Sequence, residues 1–131
     1  RVARMSNVVG GDDTGAVDFV AALGREAQAG RIVLRTAPDS AKDYVHIDDV
    51  VELLPRIALA GRERIYNVAS GQLVRHQQWL DALQARTGCR VELTPRARRQ
   101  SFPPVDIARI RDEFGFAPRR VLPLTEETLA P

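Results

Sequence analysis

Lys42-Asp43-Tyr44-Val45-His46-Ile47-Asp48-Asp49-Val50-Val51 is the stretch on which the reading of this 131-residue chain turns. It reads as a short strand that runs straight into a helix. Period-two alternation places Lys42, Tyr44 and His46 on one face and Asp43, Val45 and Ile47 on the other. A face carrying a cation, a phenol and an imidazole suits binding better than core packing. The helix that follows, from about Asp49 to Ala60, is apolar on more than one side, so it is expected to be buried against two neighbours. Pro55 lies inside it and should cost about 3 kcal/mol locally.

Outward from this stretch, strands and helices alternate. Arg1 to Val9 reads as one buried strand, and Gly10 to Thr14 as a turn with helix-capping chemistry. Phe19, Val20, Leu23 and Ala27 form a helical stripe ended by Gly30. Ile32-Val33-Leu34 is a short strand, Arg64 to Ala69 another, and Cys89 to Leu93 a third. Trp79, Leu80 and Leu83 mark an amphipathic helix that ends at Gly88, although Arg75 stands where serine or threonine would cap it. Pro95 to Pro104 is an irregular, arginine-rich loop. Asp106 caps a last helix with Ile107, Ile110 and Phe114 facing inward, and the tail from Val121 is expected to be peripheral. The pattern predicts an α/β fold.

Four segments in order carry a family likeness. Lys42 to Asp49 resembles the Arg-Asp-Tyr-Val-His-Val-x-Asp motif of the extended short-chain dehydrogenases/reductases, with lysine in place of the usual arginine. These are NAD(P)-dependent epimerases, dehydratases and reductases of nucleotide sugars and related substrates. Arg4 to Gly11 is similar to that family's Arg-x-x-Asn-Val-Tyr-Gly-Pro segment, with Val9 for its tyrosine and Gly11 for its proline. Ile65 to Gly71 is similar to its Tyr-Asn-Val-Gly-Ser-Gly strand end, and Asp106 to Phe116 to its closing helix. The resemblance implies the last strands and helices of a Rossmann-type parallel sheet, interwoven with a small substrate-binding lobe, with residues 1–131 forming one unit.

The family's cofactor loop, Gly-x-x-Gly-x-x-Gly after a first strand, has no counterpart here. Its catalytic Tyr-x-x-x-Lys pair cannot form either: Lys42 is the only lysine, and Pro38 stands four before it. The expectation is a C-terminal portion of a longer protein whose cofactor-binding half is absent. The parent would use NAD or NADP; this chain alone is expected to bind no cofactor and to catalyse nothing.

Composition narrows the alternatives. An apolar fraction of 44% is ordinary for a soluble globular protein, and no apolar run approaches the roughly 18 residues needed to span a bilayer. Cys89 is alone, which excludes an intrachain disulfide and favours a reducing, cytoplasmic setting. It is expected to pack at the head of a strand. His46 and His76 are thirty positions apart and there is no Cys-x-x-Cys, so no metal site is expected. Net charge is +2, but Arg90 to Arg120 holds eight arginines against four acids. This region reads either as a solvated face or as a contribution to pyrophosphate binding. Nucleic acid is disfavoured because no aromatic platform interleaves the basic residues. A homo-oligomer stays open, as do a stand-alone binding module and an arginine-rich interaction domain.

The candidate substrate-binding residues are Asn7, Lys42, Tyr44 and Arg99, for a nucleotide-sugar-like ligand. The resemblance places Asn7 against the substrate; alternatively it caps a turn. Lys42 matches an arginine aimed at the substrate's phosphates, though lysine is a point charge without the bidentate fork. Tyr44 lines the nucleotide pocket in the family, or is a half-buried aromatic. Arg99 is chosen from Arg96, Arg98 and Arg99 as the loop's phosphate ligand. His46 reads as a strand-end packing residue, Asp49 as part of the helix start, Asn67 as a backbone-satisfying residue at a strand end, and Arg119 as a surface charge.

Overall fold

The computed structural model describes residues 1–11 and 18–123. In chain order the elements are β1 (Val2–Met5), β2 (Asn7–Val9), α1 (Phe19–Gln28), β3 (Arg31–Leu34), β4 (Ala41–His46), α2 (Ile47–Ala60), β5 (Ile65–Val68), β6 (Leu73–Arg75), α3 (His76–Thr87), β7 (Arg90–Leu93) and α4 (Ala108–Phe114). The fold is α/β, as the sequence predicts, and most of its strand pairing is parallel.

Strand β4 is the centre. On one side β2 runs parallel to it, Asn7 opposite Tyr44 and Val9 opposite His46. On the other β6 runs antiparallel, Lys42 opposite Val74. β1 pairs in parallel with β5, Val2 opposite Ile65 and Met5 opposite Val68. β3 pairs in parallel with β7. The first nine residues therefore serve two partners. The switch falls at Ser6, whose N–H still bonds Val68 O at 3.0 Å.

Two apolar cores lie on either side of this arrangement. One gathers Val20, Leu23 and Ala27 of α1, Ile32 and Leu34 of β3, Trp79, Leu80 and Leu83 of α3, Cys89, and Tyr44. The other gathers Val50, Leu53 and Ile57 of α2, Tyr66 and Val68 of β5, Ile110 of α4, and Val45. Tyr44 and Val45 are neighbours in sequence, so the pleat of one strand feeds both cores. The helix stripes fill each core because residues three and four apart share a face.

Local chemistry explains the ends. Asp18 caps α1, its Oδ1 accepting the Ala21 N–H at 2.9 Å. Gly88 and Gly115 close α3 and α4 at positive φ, 68° and 63°. At Arg75 the missing short-chain cap is replaced from the other direction: Gln78 Oε1 accepts the Arg75 N–H at 2.8 Å. The N-cap of α4 is Ile107 and not Asp106, but the Asp106 carboxylate just before it accepts the Ala108 N–H at 2.8 Å.

Several expectations need correction. Arg1 to Val9 is two strands, and the first is largely exposed: Val2 and Met5 are about half exposed, while Val9 at the end of the second is buried. β1 pairs only with β5 among the described residues, so its other edge and much of its surface are open. Strand β6 was not foreseen; three residues between Gly71 and a helix give too short a period to read. The helix after the opening stretch begins at Ile47 rather than Asp49. Val121 is core and not peripheral, at 6% exposure. Of the predicted capping turn, residues 12–14 lie outside the described residues. No helix among the described residues is long and apolar enough to cross a membrane.

Candidate functional site

The candidate residues sit around the start of β4. Lys42 is half-buried, and its ammonium lies over two aromatic rings, 5.9 Å from the centroid of Phe19 and 5.8 Å from that of Phe102. Phe19 opens α1. Phe102 comes from the arginine-rich loop, which backbone bonds lay alongside residues 37–41. Ala37 N–H donates to Arg98 O at 3.0 Å, and Ala41 N–H to Gln100 O at 3.2 Å. Gln100 N–H donates to the buried Ser40 Oγ at 2.9 Å.

Behind Phe19 stands His76, fully buried at the first turn of α3. Its ring stacks on Phe19 with centroids 4.2 Å apart and 28° between planes. Its Nδ1 lies 2.6 Å from Thr36 Oγ1, and its backbone N–H donates to Ser40 O at 2.8 Å. Burial first, and then the Lys42 charge, hold its imidazole down at about 4. It is therefore neutral at neutral pH.

Asn7 is exposed beside this site, and its side-chain amide donates to Asp43 O at 2.8 Å. Asp43 itself is buried where three strands meet. Its Oδ1 accepts Ser6 Oγ–H at 2.7 Å and Ser70 N–H at 2.9 Å, which ties the β1–β2 switch to the end of β5.

Tyr44 is 2% exposed, with its ring edge-on to Trp79 at 5.1 Å. Two of the three polar residues on the supposed binding face, Tyr44 and His46, are thus buried, which corrects the reading of that face as unsuited to packing. Burial, and then the charge of Asp18, push the Tyr44 phenol well up. Tyr44 also touches a cleft of about 250 Å³, lined further by Ser70, Gln72, Gln78, Arg120 and Leu122.

Arg99 pairs with Asp39 at 3.1 Å, both side chains about 60% exposed. The structure therefore brings Asn7, Lys42 and Tyr44 onto adjoining strands, and holds Arg99 on the loop beside them, turned to a surface partner.

Other residues act structurally. His46 caps α2, its Nδ1 accepting the Asp48 N–H at 3.2 Å. Asp49 is buried and accepts the Arg119 N–H at 2.9 Å and its guanidinium as well. Arg119 also reaches Glu52 at 2.6 Å. Glu52 and then Asp49 raise the Arg119 guanidinium further above its ordinary value. Arg119 is not the idle surface charge its position suggests. Asn67 donates to Asp106 O at 2.8 Å and accepts from Arg4 at 3.1 Å, joining β1, β5 and the start of α4. Among the described residues no cluster of three metal-ligating side chains occurs.

Sequence reasoning missed the ring pair on Lys42. Phe19 was absorbed into a helix stripe, and Phe102 stood in a loop read only for its arginines. A lone aromatic in an otherwise polar, proline-flanked loop was the available signal.

No family model matches this chain, and no curated protein sequence does. Solved structures do. MoeE5, in complex with UDP-glucuronic acid and NAD, superposes with a TM-score of 0.75 at 23% identity, over 98% of this chain and 44% of that one. ADP-L-glycero-D-manno-heptose-6-epimerase of Helicobacter pylori gives 0.74 at 21% identity, over 92% and 39%. The dTDP-glucose 4,6-dehydratase of Bacillus anthracis, in complex with NAD, gives 0.73 at 15% identity, over 97% and 41%. The chain thus has the fold found in part of these Rossmann-type nucleotide-sugar enzymes. It spans about two fifths of their length.

Proposed function

We propose that this chain is the substrate-holding, C-terminal portion of an NAD(P)-dependent epimerase, dehydratase or reductase acting on a nucleoside-diphosphate sugar. The observation that carries the reading is coverage. Nearly all of this chain superposes on enzymes more than twice its length, and the cofactor loop and Tyr-x-x-x-Lys pair are missing from its sequence. Residues 1–131 then form one unit that lies over a nicotinamide held by another half.

In this reading the Lys42 ammonium meets the diphosphate, with Asn7 beside it on the neighbouring strand. Tyr44 backs the pocket from the core. Arg99 exchanges its exposed Asp39 partner for a phosphate; an exposed ion pair is weak enough to give way. Among the described residues aromatic faces and not a carboxylate hold Lys42, so no salt bridge there has to be broken. The group that NAD(P) would supply is hydride transfer; this chain's residues would bind and orient the sugar nucleotide.

The test is calorimetric titration of UDP and UDP-glucose into the chain. A charge-assisted hydrogen bond contributes roughly 1.5–3 kcal/mol, so Lys42→Ala should weaken binding about 10- to 150-fold. Lys42→Arg should keep or improve affinity, since guanidinium restores the fork and also stacks on rings. Arg90→Ala, an exposed cation on the far strand β7, is the charge control. Equal losses at Lys42 and Arg90 would overturn the assignment in favour of a diffuse basic surface, and no binding by the unmodified chain would refute it outright.

A further inference from the structure

We infer that His76 is a positioning residue for ligand binding: its buried imidazole fixes the ring of Phe19, which with Phe102 aims the Lys42 ammonium. This deepens the reading above and rests on it. Nothing in the four family-like segments includes His76, Phe19 or Phe102; the inference comes from their geometry.

Lysine side chains are long and flexible, and an exposed one presents its charge over a wide volume. Here the ammonium is confined between two rings from distant parts of the chain, one on α1 and one on the loop of residues 95–104. Such a cation–π hold is modest, yet unlike a salt bridge it does not use the ammonium's N–H groups, and among the described residues no carboxylate is paired with Lys42. A ring can confine a cation only if the ring itself is fixed. Phe102 is half exposed and borders solvent on its loop. Phe19 opens a helix that follows residues outside the described structure. It packs against the core around α1 and α3, and the flat face it stacks on is that of His76, at 4.2 Å.

His76 is itself held at three points. Its backbone N–H bonds Ser40 O, its Nδ1 meets Thr36 Oγ1, and α3 carries it on the core-facing side beside Trp79 and Leu80. Ser40 also holds the arginine-rich loop through Gln100. One short stretch, residues 36–40, thus fixes both jaws: Phe19 through His76, and Phe102 through the loop. An aliphatic residue at position 76 would fill the core as well but would give Phe19 no flat face to stack on.

The test is the UDP titration on the 131-residue chain carrying His76→Ala, His76→Phe and Leu83→Ala. His76→Ala should weaken UDP roughly three- to tenfold, the scale of one lost ring pair acting through Lys42. His76→Phe keeps a flat ring and should retain affinity within about twofold, although it loses the Thr36 hydrogen bond. Leu83→Ala sits on the same helix and in the same core, and destabilises without touching the jaw. It should leave affinity unchanged at temperatures where the chain stays folded. The Phe19 ring resonances should shift in His76→Ala and, on adding UDP, in the unmodified chain.

If Lys42→Ala weakens UDP while His76→Ala does not, the positioning role is wrong and the substrate reading survives. If His76→Phe loses as much as His76→Ala, or Leu83→Ala loses as much, His76 acts only through stability and the inference fails. If Lys42→Ala itself has no effect, both fall together.

Discussion

Asp49→Asn should be among the costliest single polar substitutions in this chain. The carboxylate is 1% exposed and sits in the first turn of α2, just after the strand that carries Lys42. It accepts both the backbone N–H and the guanidinium of Arg119, and so ties the last described segment to the helix start. An amide can still accept from the Arg119 N–H, but its NH2 then faces the guanidinium. One charge-assisted bond is lost, about 1.5–3 kcal/mol. The anion near the helix N-terminus is lost too, adding roughly 0.3–1 kcal/mol. The sum is about 2–4 kcal/mol, on the order of 10 °C in melting temperature for a domain of this size. Urea unfolding followed by circular dichroism measures it. Glu52→Gln removes the solvent-exposed partner of the same guanidinium and should move the melting temperature by no more than about 2 °C. High salt should not narrow the gap between the unmodified chain and Asp49→Asn, because the buried Asp49–Arg119 pair is poorly screened. If the two substitutions cost the same, Asp49 is not paired as the structure has it, and the junction between β4 and α2 is held by packing alone.

Three further outcomes are expected. His76 has a folded-state value near 4 against about 6.5 unfolded, so the unfolded chain takes up its proton first. Stability should fall as pH drops from 6.5 towards 4, and His76→Phe should lessen that fall; parallel urea curves at pH 7, 6 and 5 for both chains decide it. The open edge of β1 with half-exposed Val2 and Met5, and Leu59 at 87% exposure on α2, should make the chain self-associate; light scattering of the unmodified chain against Met5→Lys and Leu59→Glu checks this, and a monodisperse unmodified chain would refute it. The chain should bind neither NAD(H) nor NADP(H), since it lacks the glycine loop and any Tyr-x-x-x-Lys pair; micromolar affinity in a fluorescence titration would contradict that.

Much of the fold was legible because each legible element buries one face. The stripe Phe19, Val20, Leu23 and Ala27 declares a helix, and Gly88 and Gly115 declare ends through the left-handed backbone they adopt. What failed to show did so for physical reasons. Residues 1–9 look like one strand because hydrophobicity does not record a change of partner, and Ser6 gives no warning that β1 follows β5 while β2 follows β4. Three-residue β6 is too short for its alternation to stand out. Arg119 looks like surface because a guanidinium is exposed in any reading; only the fold shows its backbone N–H and one edge closed over Asp49. His76 carried no signal at all, since a lone histidine at a helix start is chemically mute until its neighbours are known.

Strand β4 explains why binding and packing were hard to separate. Alternation is a statement about which side a residue faces, not about what covers that side. Tyr44 and Lys42 share a face, yet Tyr44 lies under α3 while Lys42 lies two residues nearer the strand's start, where that cover ends and the loop of residues 95–104 begins. The change from core to candidate site therefore happens within one strand over about 7 Å, two residues at roughly 3.3 Å each. A pocket built this way inherits the rigidity of the core beneath it. Trp79, Tyr44 and His76 nearby are all buried at 2% exposure or less, whereas Phe19 and Lys42 are partly exposed and Phe102 is half exposed. A charge held in a fixed place discriminates among anions by position, and a mobile one does not.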